Sequence, residues 1–342
     1  MRVVNIPTMI RLIDSVAVRK RRPLFIWGKS GTGKSAGVRQ AAANHNAVLV
    51  DMRVSQYEAV DIRGIPDIQT GLTVWNMPST LPFKGNPKFS EDDGLIFLFI
   101  DEINQGDPST LAVLYQLILD RRVGEHDLMD NVVIVAAGNL DSDRGATTRW
   151  PYPLGNRGTH VEVDTDTQAF TSFASAEQWD ARLIGFLNFR TSLLHTFDSS
   201  NPQKAFASSR SWSYVNEDLA DTQMSDEDRL VSFSGSVGEG PAVEFAGFLN
   251  IMHALVPIED IIADPMGVAV ESRLDVQWAM AVHIAGNMDK INARPLHRFL
   301  TRLQPEMVIM AWTMAIGRDE DLTDSDAFLL DYAPAYRSLF TN

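Results

Sequence analysis

Short apolar runs alternate with helical patterns along the first half of the chain. Each of five runs has the length of a single strand: Leu24–Trp27, Ala47–Val54, Leu95–Ile100, Val132–Ala137 and His160–Val163. Runs that are apolar throughout, rather than alternating with polar residues, are typical of strands that helices cover on both faces. The pattern therefore predicts a buried sheet of five strands.

The segments between these runs have the pattern of helices. One helix is predicted from Lys34 to about Asn44, directly after a glycine-rich loop. Another has Asp107 as its N-cap and Pro108 in its first turn, and it ends near Arg121–Arg122. The apolar positions on one of its faces are Leu111, Leu114, Leu117 and Ile118. Because strands and helices alternate, we expect a parallel sheet in an α/β fold.

After about Asp164 the strand runs disappear, and helical periodicity takes their place. The clearest helical segments are DARLIGFLNFRTSLLHTF, AVEFAGFLNIMHAL, VQWAMAVHIAGNM and PLHRFLTRLQPEMVIMAWTMAI. The final segment is acidic and then aromatic, which indicates a packed extension. We therefore predict an α/β domain over residues 1–165, and a helical domain with its C-terminal extension over residues 166–342.

The composition narrows the possible chemistry and partners. The chain has 342 residues, a formal net charge of -14 and no cysteine. Disulfides, thiolate catalysis and cysteine-ligated zinc are therefore excluded. The seven histidines are scattered without metal-ligand spacing. A strongly acidic surface disfavours generic binding to nucleic acid or to an anionic membrane, because both require clustered Lys and Arg.

The sequence gives no sign of membrane insertion or secretion. No apolar run approaches the ~18 residues that a membrane helix needs. The N-terminal segment is apolar first and basic later, the reverse of a secretory signal. We expect its basic run, VRKRRP, to cap the first helix, where cations are favoured, rather than to bind nucleic acid. A cytoplasmic protein without membrane insertion is the resulting expectation.

The stretch GKSGTGKS has the spacing of a phosphate-binding loop. In such a loop, glycines let backbone N–H groups turn inward around phosphates, while Lys34 reaches the β- and γ-phosphates and the Ser35 hydroxyl binds Mg²⁺. The stretch follows a predicted strand and opens a predicted helix, as this chemistry requires. The predicted ligands are ATP and Mg²⁺, and the predicted nucleotide-binding residues are Gly28, Lys29, Ser30, Gly31, Thr32, Gly33, Lys34 and Ser35.

Two acids and an asparagine extend this candidate site. Asp101 and Glu102 end the apolar run LIFLFI, where Asp101 would hold Mg²⁺ together with Ser35 and Glu102 would polarise the attacking water. Asn139 follows the run VVIVAA and would reach the γ-phosphate or the water. Taken alone, the acids could simply end a strand and Gly-Asn could form a turn. Their order after the phosphate loop favours the catalytic roles.

These elements, in this order, resemble an AAA+ ATPase, and specifically the short MoxR-like ATPases of bacteria and phages. The stretches that carry the resemblance are GKSGTGKS, DIRGIPDIQTGLTVW, LFIDEINQGDPSTLAVLYQLILDRRVGEHDL, VIVAAGNLDSDRGATTRWPYPLGNRGTHVEV, KAFASSRSWSYV and GSVGEGPAVEFAGFL. The resemblance implies a five-stranded αβα domain followed by an α-helical lid. It also implies a hairpin inserted over Val60–Pro78, and rings, usually hexamers, with ATP between the subunits.

The resemblance gives roles to three arginines and leaves a fourth open. Arg157 matches the arginine finger, which enters the site of the neighbouring subunit and neutralises charge on the transferring phosphoryl group. Arg149 matches a second arginine upstream, and Arg210 matches the sensor arginine that opens a lid helix and contacts the γ-phosphate in cis. For Arg144 a trans role and a solvated surface position remain equally open. Where the family often has an aromatic residue after the finger, this chain has Gly158.

The resemblance further implies chaperone-like remodelling, maturation or activation of a protein client, with a von Willebrand A domain protein as a possible adaptor. The alternative from another class is an ATP-driven nucleic-acid motor on the same core. Such a motor should have Lys and Arg in hairpins that face the pore, yet the segments 67–76 and 124–131 contain neither. A catalytically silent ring is disfavoured because the full set of hydrolysis residues is present.

Overall fold

A computed structural model of the chain describes residues 1–68, 71, 73–140, 155–198 and 203–336. The chain divides into two compact units. The first comprises Met1–Asp166 with Asp198–Pro202, and the second comprises Thr167–Phe197 and Gln203–Asn342.

The first unit is built on a parallel sheet. Its strands are β1 (Val3–Val4), β2 (Leu24–Trp27), β3 (Val48–Arg53), β4 (Ile65–Asp67), β5 (Val74–Asn76), β6 (Ile96–Asp101), β7 (Arg122–Val123), β8 (His126–Asp127), β9 (Val132–Gly138) and β10 (Thr159–Val163). Six of them form one sheet in the order β1-β10-β2-β9-β6-β3, and every pairing in it is parallel. The five strands predicted from the sequence are all present, and the two-residue strand β1 extends the sheet at one edge.

Helices cover both faces of this sheet. They are α1 (Ile6–Leu12), which continues as a π-helical segment to Val18, α2 (Lys34–Asn44), α3 (Ala59–Arg63) and α4 (Pro108–Asp120). Alternate residues of β6 point into two separate cores: Ile96, Leu98 and Ile100 pack with the apolar face of α4, whereas Phe97 and Phe99 pack with α1 and α2. Burial on both faces explains why the strand is apolar at every position.

The predicted limits of α4 have clear physical causes. The Asp107 carboxylate accepts hydrogen bonds from the backbone N–H groups of Ser109 and Thr110, at 2.7 and 2.9 Å. These hydrogen bonds lower the pKa of Asp107, because they favour its charged form. At the other end, Arg121 adopts a left-handed backbone conformation with φ of 52°, which ends the helix.

The described residues of the first unit include two small hairpins. The predicted insertion forms the antiparallel pair β4–β5, with Ile65 opposite Asn76. Gly64 precedes it with φ of 90°, and a Cβ atom there would lie 2.0 Å from the Asn76 carbonyl oxygen, so only glycine fits. The second hairpin, β7–β8, overlaps the segment 124–131, which the sequence offered as a candidate hairpin facing the pore; the bounds of its strands could not be predicted, because strands of two residues carry no periodic pattern.

The described part of the second unit is helical. Its helices are α5 (Thr167–Ala176), α6 (Ala181–Phe189), α7 (Ser209–Ala220), α8 (Asp226–Val237), α9 (Glu239–His253), α10 (Ile258–Ala263), α11 (Leu274–Asn287), α12 (Ala293–Leu300), α13 (Pro305–Arg318) and α14 (Ala333–Ala335). Phe186, Trp212 and Phe245 pack together in its core. Gly238, with φ of 91°, is the single residue between α8 and α9. Among the described helices of the chain, none combines the length and the apolar character that crossing a membrane requires.

The C-terminal extension packs onto a buried aromatic cluster of the second unit. The indole N–H of Trp312 donates a hydrogen bond to Nδ1 of His297 at 3.0 Å, and Tyr332 stacks on Trp312 with ring centroids 4.9 Å apart. Burial lowers the pKa of His297 below 6.5, while the charge of Asp331 opposes this effect. Burial also raises the pKa of Tyr332 to about 12. His297 is therefore held neutral, as an acceptor.

A neutral buried His297 predicts that stability falls in mild acid. Since its pKa is lower in the folded chain than in the unfolded chain, the unfolded chain binds the proton more readily. The contribution of neutral His297 to the free energy of unfolding is complete above pH 6.5 and is lost as the pH falls through the pKa of the folded chain. We expect the urea concentration at the midpoint of unfolding, measured by tryptophan fluorescence, to decrease as the pH is lowered from 7.5. In His297→Asn, which keeps an acceptor but does not titrate, the fall should be smaller; an equal fall in both proteins would contradict the prediction.

Candidate active site

The phosphate loop Gly28–Ser35 connects β2 to the start of α2. Gly31 and Gly33 have positive φ angles of 80° and 90°, which glycine adopts without steric cost. At Gly28 a Cβ atom would lie 2.4 Å from the Val163 carbonyl oxygen, so the close packing of β2 and β10 also requires glycine. The Thr32 hydroxyl donates a hydrogen bond to the Lys29 carbonyl at 3.0 Å, which closes the loop.

Lys34 lies inside this loop with only 8% of its surface exposed. Its ammonium group donates hydrogen bonds to the carbonyls of Gly28 and Lys29, at 2.7 and 2.8 Å, and to the Asn139 side-chain oxygen at 3.4 Å. A buried cation beside the N-terminus of α2 makes the loop a favourable place for phosphate groups.

The two predicted metal ligands lie side by side. The Ser35 hydroxyl donates a hydrogen bond to a carboxylate oxygen of Asp101 at 2.7 Å. Ser35 is in the first turn of α2, and Asp101 is the last residue of β6. Hydroxyl and carboxylate oxygens are ligands that Mg²⁺ accepts, and the ion usually completes its shell with water and phosphate oxygens. The residues present therefore fit Mg²⁺.

Glu102 follows Asp101 in an uncommon backbone conformation. Its φ is 56°, in the left-handed region, and its N–H donates a hydrogen bond to the other Asp101 oxygen at 2.9 Å. The Glu102 carboxylate accepts a hydrogen bond from the Ser55 hydroxyl at 2.5 Å. Ser55 lies in the turn after β3, which pairs with β6. Ser55 could not be assigned to the site from the sequence, because only the strand order shows that it is next to Glu102.

Asn139 is held by a second asparagine, Asn104, which was not among the residues predicted from the sequence. The Asn104 amide donates to the Asn139 carbonyl at 2.9 Å and accepts from the Asn139 N–H at 3.2 Å. With 1% exposure, Asn104 is fully buried. This paired contact fixes the backbone at the end of β9, from which the Asn139 side chain reaches Lys34. The only signal in the sequence for Asn104 was its position two residues after Glu102.

Arg157 does not join this group within one chain. It precedes β10, whose first residue Thr159 pairs with Leu24 at the start of β2, whereas the phosphate loop follows Trp27 at the end of β2. At about 3.3 Å per residue, the strand separates the two ends of the sheet by roughly 13 Å. Gly158 is required here, because a Cβ atom would lie 2.4 Å from the Phe25 ring.

The positions of the other predicted arginines relative to the phosphate loop stay predictions. Arg144 and Arg149 lie outside the described residues. Arg210 is the second residue of α7 in the second unit, two positions after the N-cap Ser208, which accepts a hydrogen bond from the Ser211 N–H at 3.2 Å. Its contact with the γ-phosphate stays a prediction.

Comparison with known proteins places this site in a class. Residues 23–148 match the family model described as the AAA domain of the dynein-related subfamily. No curated protein matches the chain. The chain is similar in structure to a candidate ATPase of Cytophaga hutchinsonii, with 12% identity, a TM-score of 0.35, and coverage of 93% of this chain and 84% of the other. It is also similar to NtrX of Brucella abortus, with 14% identity, a TM-score of 0.33, and coverage of 91% and 68%.

The last two similarities are too weak to carry an argument, whereas the family match covers the phosphate loop, both acids and Asn139. The first unit therefore has the α/β P-loop fold of AAA+ proteins, and the chain contains an AAA domain. This domain supports nucleotide binding and ATPase activity at a general level.

The contact between Asn104 and Asn139 predicts a selective loss of turnover in Asn104→Asp. The carboxylate keeps the acceptor but loses the donor to the Asn139 carbonyl, so Asn139 should lose its fixed position. We expect the rate of ATP hydrolysis to fall about tenfold, as for a lost buried hydrogen bond, with ATP affinity nearly unchanged. Gln105→Ala is the matched control and should keep normal turnover. Equal effects on binding and turnover in Asn104→Asp would argue against a positioning role.

Proposed function

We propose that this chain is a ring-forming AAA+ ATPase of the MoxR type, which hydrolyses ATP at subunit interfaces to remodel, mature or activate a protein client. One observation carries the ring proposal. The phosphate loop, Asp101, Glu102 and Asn139 converge at the carboxyl edge of the sheet, while Arg157 lies at the amino edge. A site that needs an arginine finger is then complete only when a second copy supplies it.

In this proposal each residue acts from the position described above. Lys34 and the loop N–H groups bind the phosphates, and Ser35 with Asp101 holds Mg²⁺. The bound ion would neutralise charge on the β- and γ-phosphates. Glu102 accepts the proton of the attacking water, and Asn139 orients that water. Arg157 of a second copy stabilises the charge that develops on the phosphoryl group.

Before Glu102 takes up that proton, the oxygen bonded to Ser55 has to exchange this partner for the water. Ser55 is exposed at the end of β3, so the exchange requires only a side-chain rotation. The base is thus held in a defined position without being buried. We propose that Arg210 contacts the γ-phosphate in cis, so that the helical unit responds to hydrolysis through different contacts with ATP and ADP.

A protein client, with or without a von Willebrand A domain adaptor, suits the charge of the molecule better than nucleic acid. The net charge is -14, and the segments 67–76 and 124–131 of the two hairpins contain no Lys or Arg, although Arg122 lies in β7. Binding to a phosphate backbone depends on such residues. In the proposed assembly, subunits form a ring, with six as the number that the family resemblance suggests.

The trans geometry predicts complementation between two inactive variants. Lys34→Ala should lose nucleotide binding, and Arg157→Ala should bind ATP but hydrolyse it about 10³-fold more slowly or worse. A mixture should regain turnover, because Lys34→Ala subunits still offer Arg157 to the intact phosphate loops of the other variant. The measurement is the ATPase rate of each variant and of the mixture. If the mixture remains inactive although both variants co-assemble, the arginine does not act in trans.

A trapped complex should identify the client. Glu102→Gln keeps the binding residues but lacks the base, so it should hold ATP without hydrolysis and retain its client. We expect tagged Glu102→Gln, incubated with lysate of the source cell, to enrich a specific protein in ATP but not in ADP, with or without nuclease. Lys34→Ala is the control and should enrich nothing in either nucleotide. Recovery that nuclease abolishes would favour the nucleic-acid motor instead.

A further inference from the structure

A pocket lined by three arginines lies at the amino edge of the sheet. Its volume is about 210 Å³, and its charged lining is Arg21, Arg121 and Arg157. Arg21 precedes β2, Arg121 ends α4, and Arg157 precedes β10. Apolar side chains, including Ile118 and Ile134, form the rest of the wall. Three separate elements thus bring their cations to one place in a chain whose net charge is -14.

Two of these arginines are fixed by neutral partners. Arg121 donates hydrogen bonds to the carbonyls of Met129 and Val132, at 3.0 and 2.9 Å. Arg21 donates to the Asn131 carbonyl at 3.1 Å. Because carbonyls orient a guanidinium without cancelling its charge, the positive charge of the pocket remains.

Nearby carboxylates are engaged elsewhere. Asp130, whose charge acts favourably on Arg121, forms an ion pair with Lys84 at 2.9 Å. Within the described ranges, no carboxylate lies within ion-pair distance of the three pocket arginines, although the adjacent Arg122 pairs with Asp127. The pocket is therefore a concentrated positive site in which no carboxylate of the described residues touches a guanidinium directly, although the charge of Asp130 acts on Arg121 from a greater distance.

Two effects disfavour the positive charge that Arg121 brings to this pocket. Burial and the like charge of Arg21 both lower the pKa of Arg121. Arg21 and Arg121 also occupy the left-handed region, with φ of 53° and 52°, which residues other than glycine seldom adopt. An anion in the pocket would relieve the repulsion and use the free donors of these guanidinium groups.

The nucleotide of the same chain cannot be that anion. Its phosphate loop is at the carboxyl edge of β2, while Arg21 and Arg157 are at the amino edge. We propose that Arg21, Arg121 and Arg157 form one pocket for the terminal phosphate of a nucleotide bound to a second copy of this chain. This proposal rests on the proposed trans site and adds Arg21 and Arg121 to it.

The sequence offers matched controls for both additional arginines. Arg22 and Arg122 are exposed, directly adjacent to Arg21 and Arg121, and do not line the pocket. We expect Arg21→Gln and Arg121→Gln to lower ATP turnover about tenfold or more while ATP still binds, as when a hydrogen bond to a charged group is lost. Arg22→Gln and Arg122→Gln change the net charge equally and should keep normal turnover. Equal losses in all four variants would reduce the effect to overall charge and overturn the proposal.

Complementation then tests whether the pocket acts in trans. Lys34→Ala subunits carry an intact pocket, so mixing them with Arg21→Gln or Arg121→Gln should restore turnover. Arg121→Gln also loses contacts to Met129 and Val132, and Arg21→Gln is the variant that keeps the test valid if Arg121→Gln fails to fold. No restoration in mixtures that co-sediment in ATP would overturn the pocket proposal while leaving the ring intact. A wild-type chain that hydrolyses ATP fully as a monomer would instead overturn both.

A second experiment distinguishes two candidate ligands of the pocket, the nucleotide bound to a second copy and a free phosphate anion. Inorganic pyrophosphate is titrated into monomeric Lys34→Ala protein by calorimetry, with and without Arg21→Gln. Absence of tight binding, together with complementation, supports recognition of phosphate only where a second copy presents it. Tight binding that requires Arg21, without complementation, would assign the pocket to a free anion and overturn the proposal.

Discussion

The parallel pairing of β2, β9 and β6 is the constraint on which the site depends. Trp27 pairs with Gly138, and Ile100 pairs with Ala136, so the residues that follow these strands emerge at one edge. Hydrogen-bond ladders between strands fix these positions more rigidly than loops could. A register shift of one residue in β6 would turn Asp101 to the opposite face and separate it from Ser35.

Further contacts position the groups at this edge. The Asn104 side chain forms a hydrogen bond with the backbone of Asn139. The Asp101 carboxylate accepts hydrogen bonds from the Ser35 hydroxyl and from the Glu102 N–H. The left-handed conformation of Glu102 costs about 1–2 kcal/mol relative to a relaxed backbone. The surrounding ladder can hold such a conformation because β6 is buried on both faces, and residues held this way are characteristic of functional sites.

The local parts of this arrangement were predictable from the sequence, and the non-local parts were not. The phosphate loop, its strand and its helix are consecutive, so spacing alone predicted them, and the buried strands follow from their uniform apolar pattern. Ser55 and Asn104 belong to the site only because β3 pairs with β6 and β6 with β9, and the sequence does not state this order. Similarly, Arg21 and Arg121 lie 100 residues apart along the chain and share a pocket only in the folded sheet.

Charge gives the two edges of the sheet opposite roles. The carboxyl edge presents Asp101 and Glu102 and would add the phosphates of a nucleotide, whereas the amino edge presents Arg21, Arg121 and Arg157. Copies with a net charge of -14 repel one another at long range, so their association requires local complementarity. Contact between opposite edges is heterologous, and such contacts close into rings when the rotation allows. In the proposed assembly, nucleotide phosphates strengthen the attraction between copies, and the contact in turn supplies the arginines that hydrolysis needs.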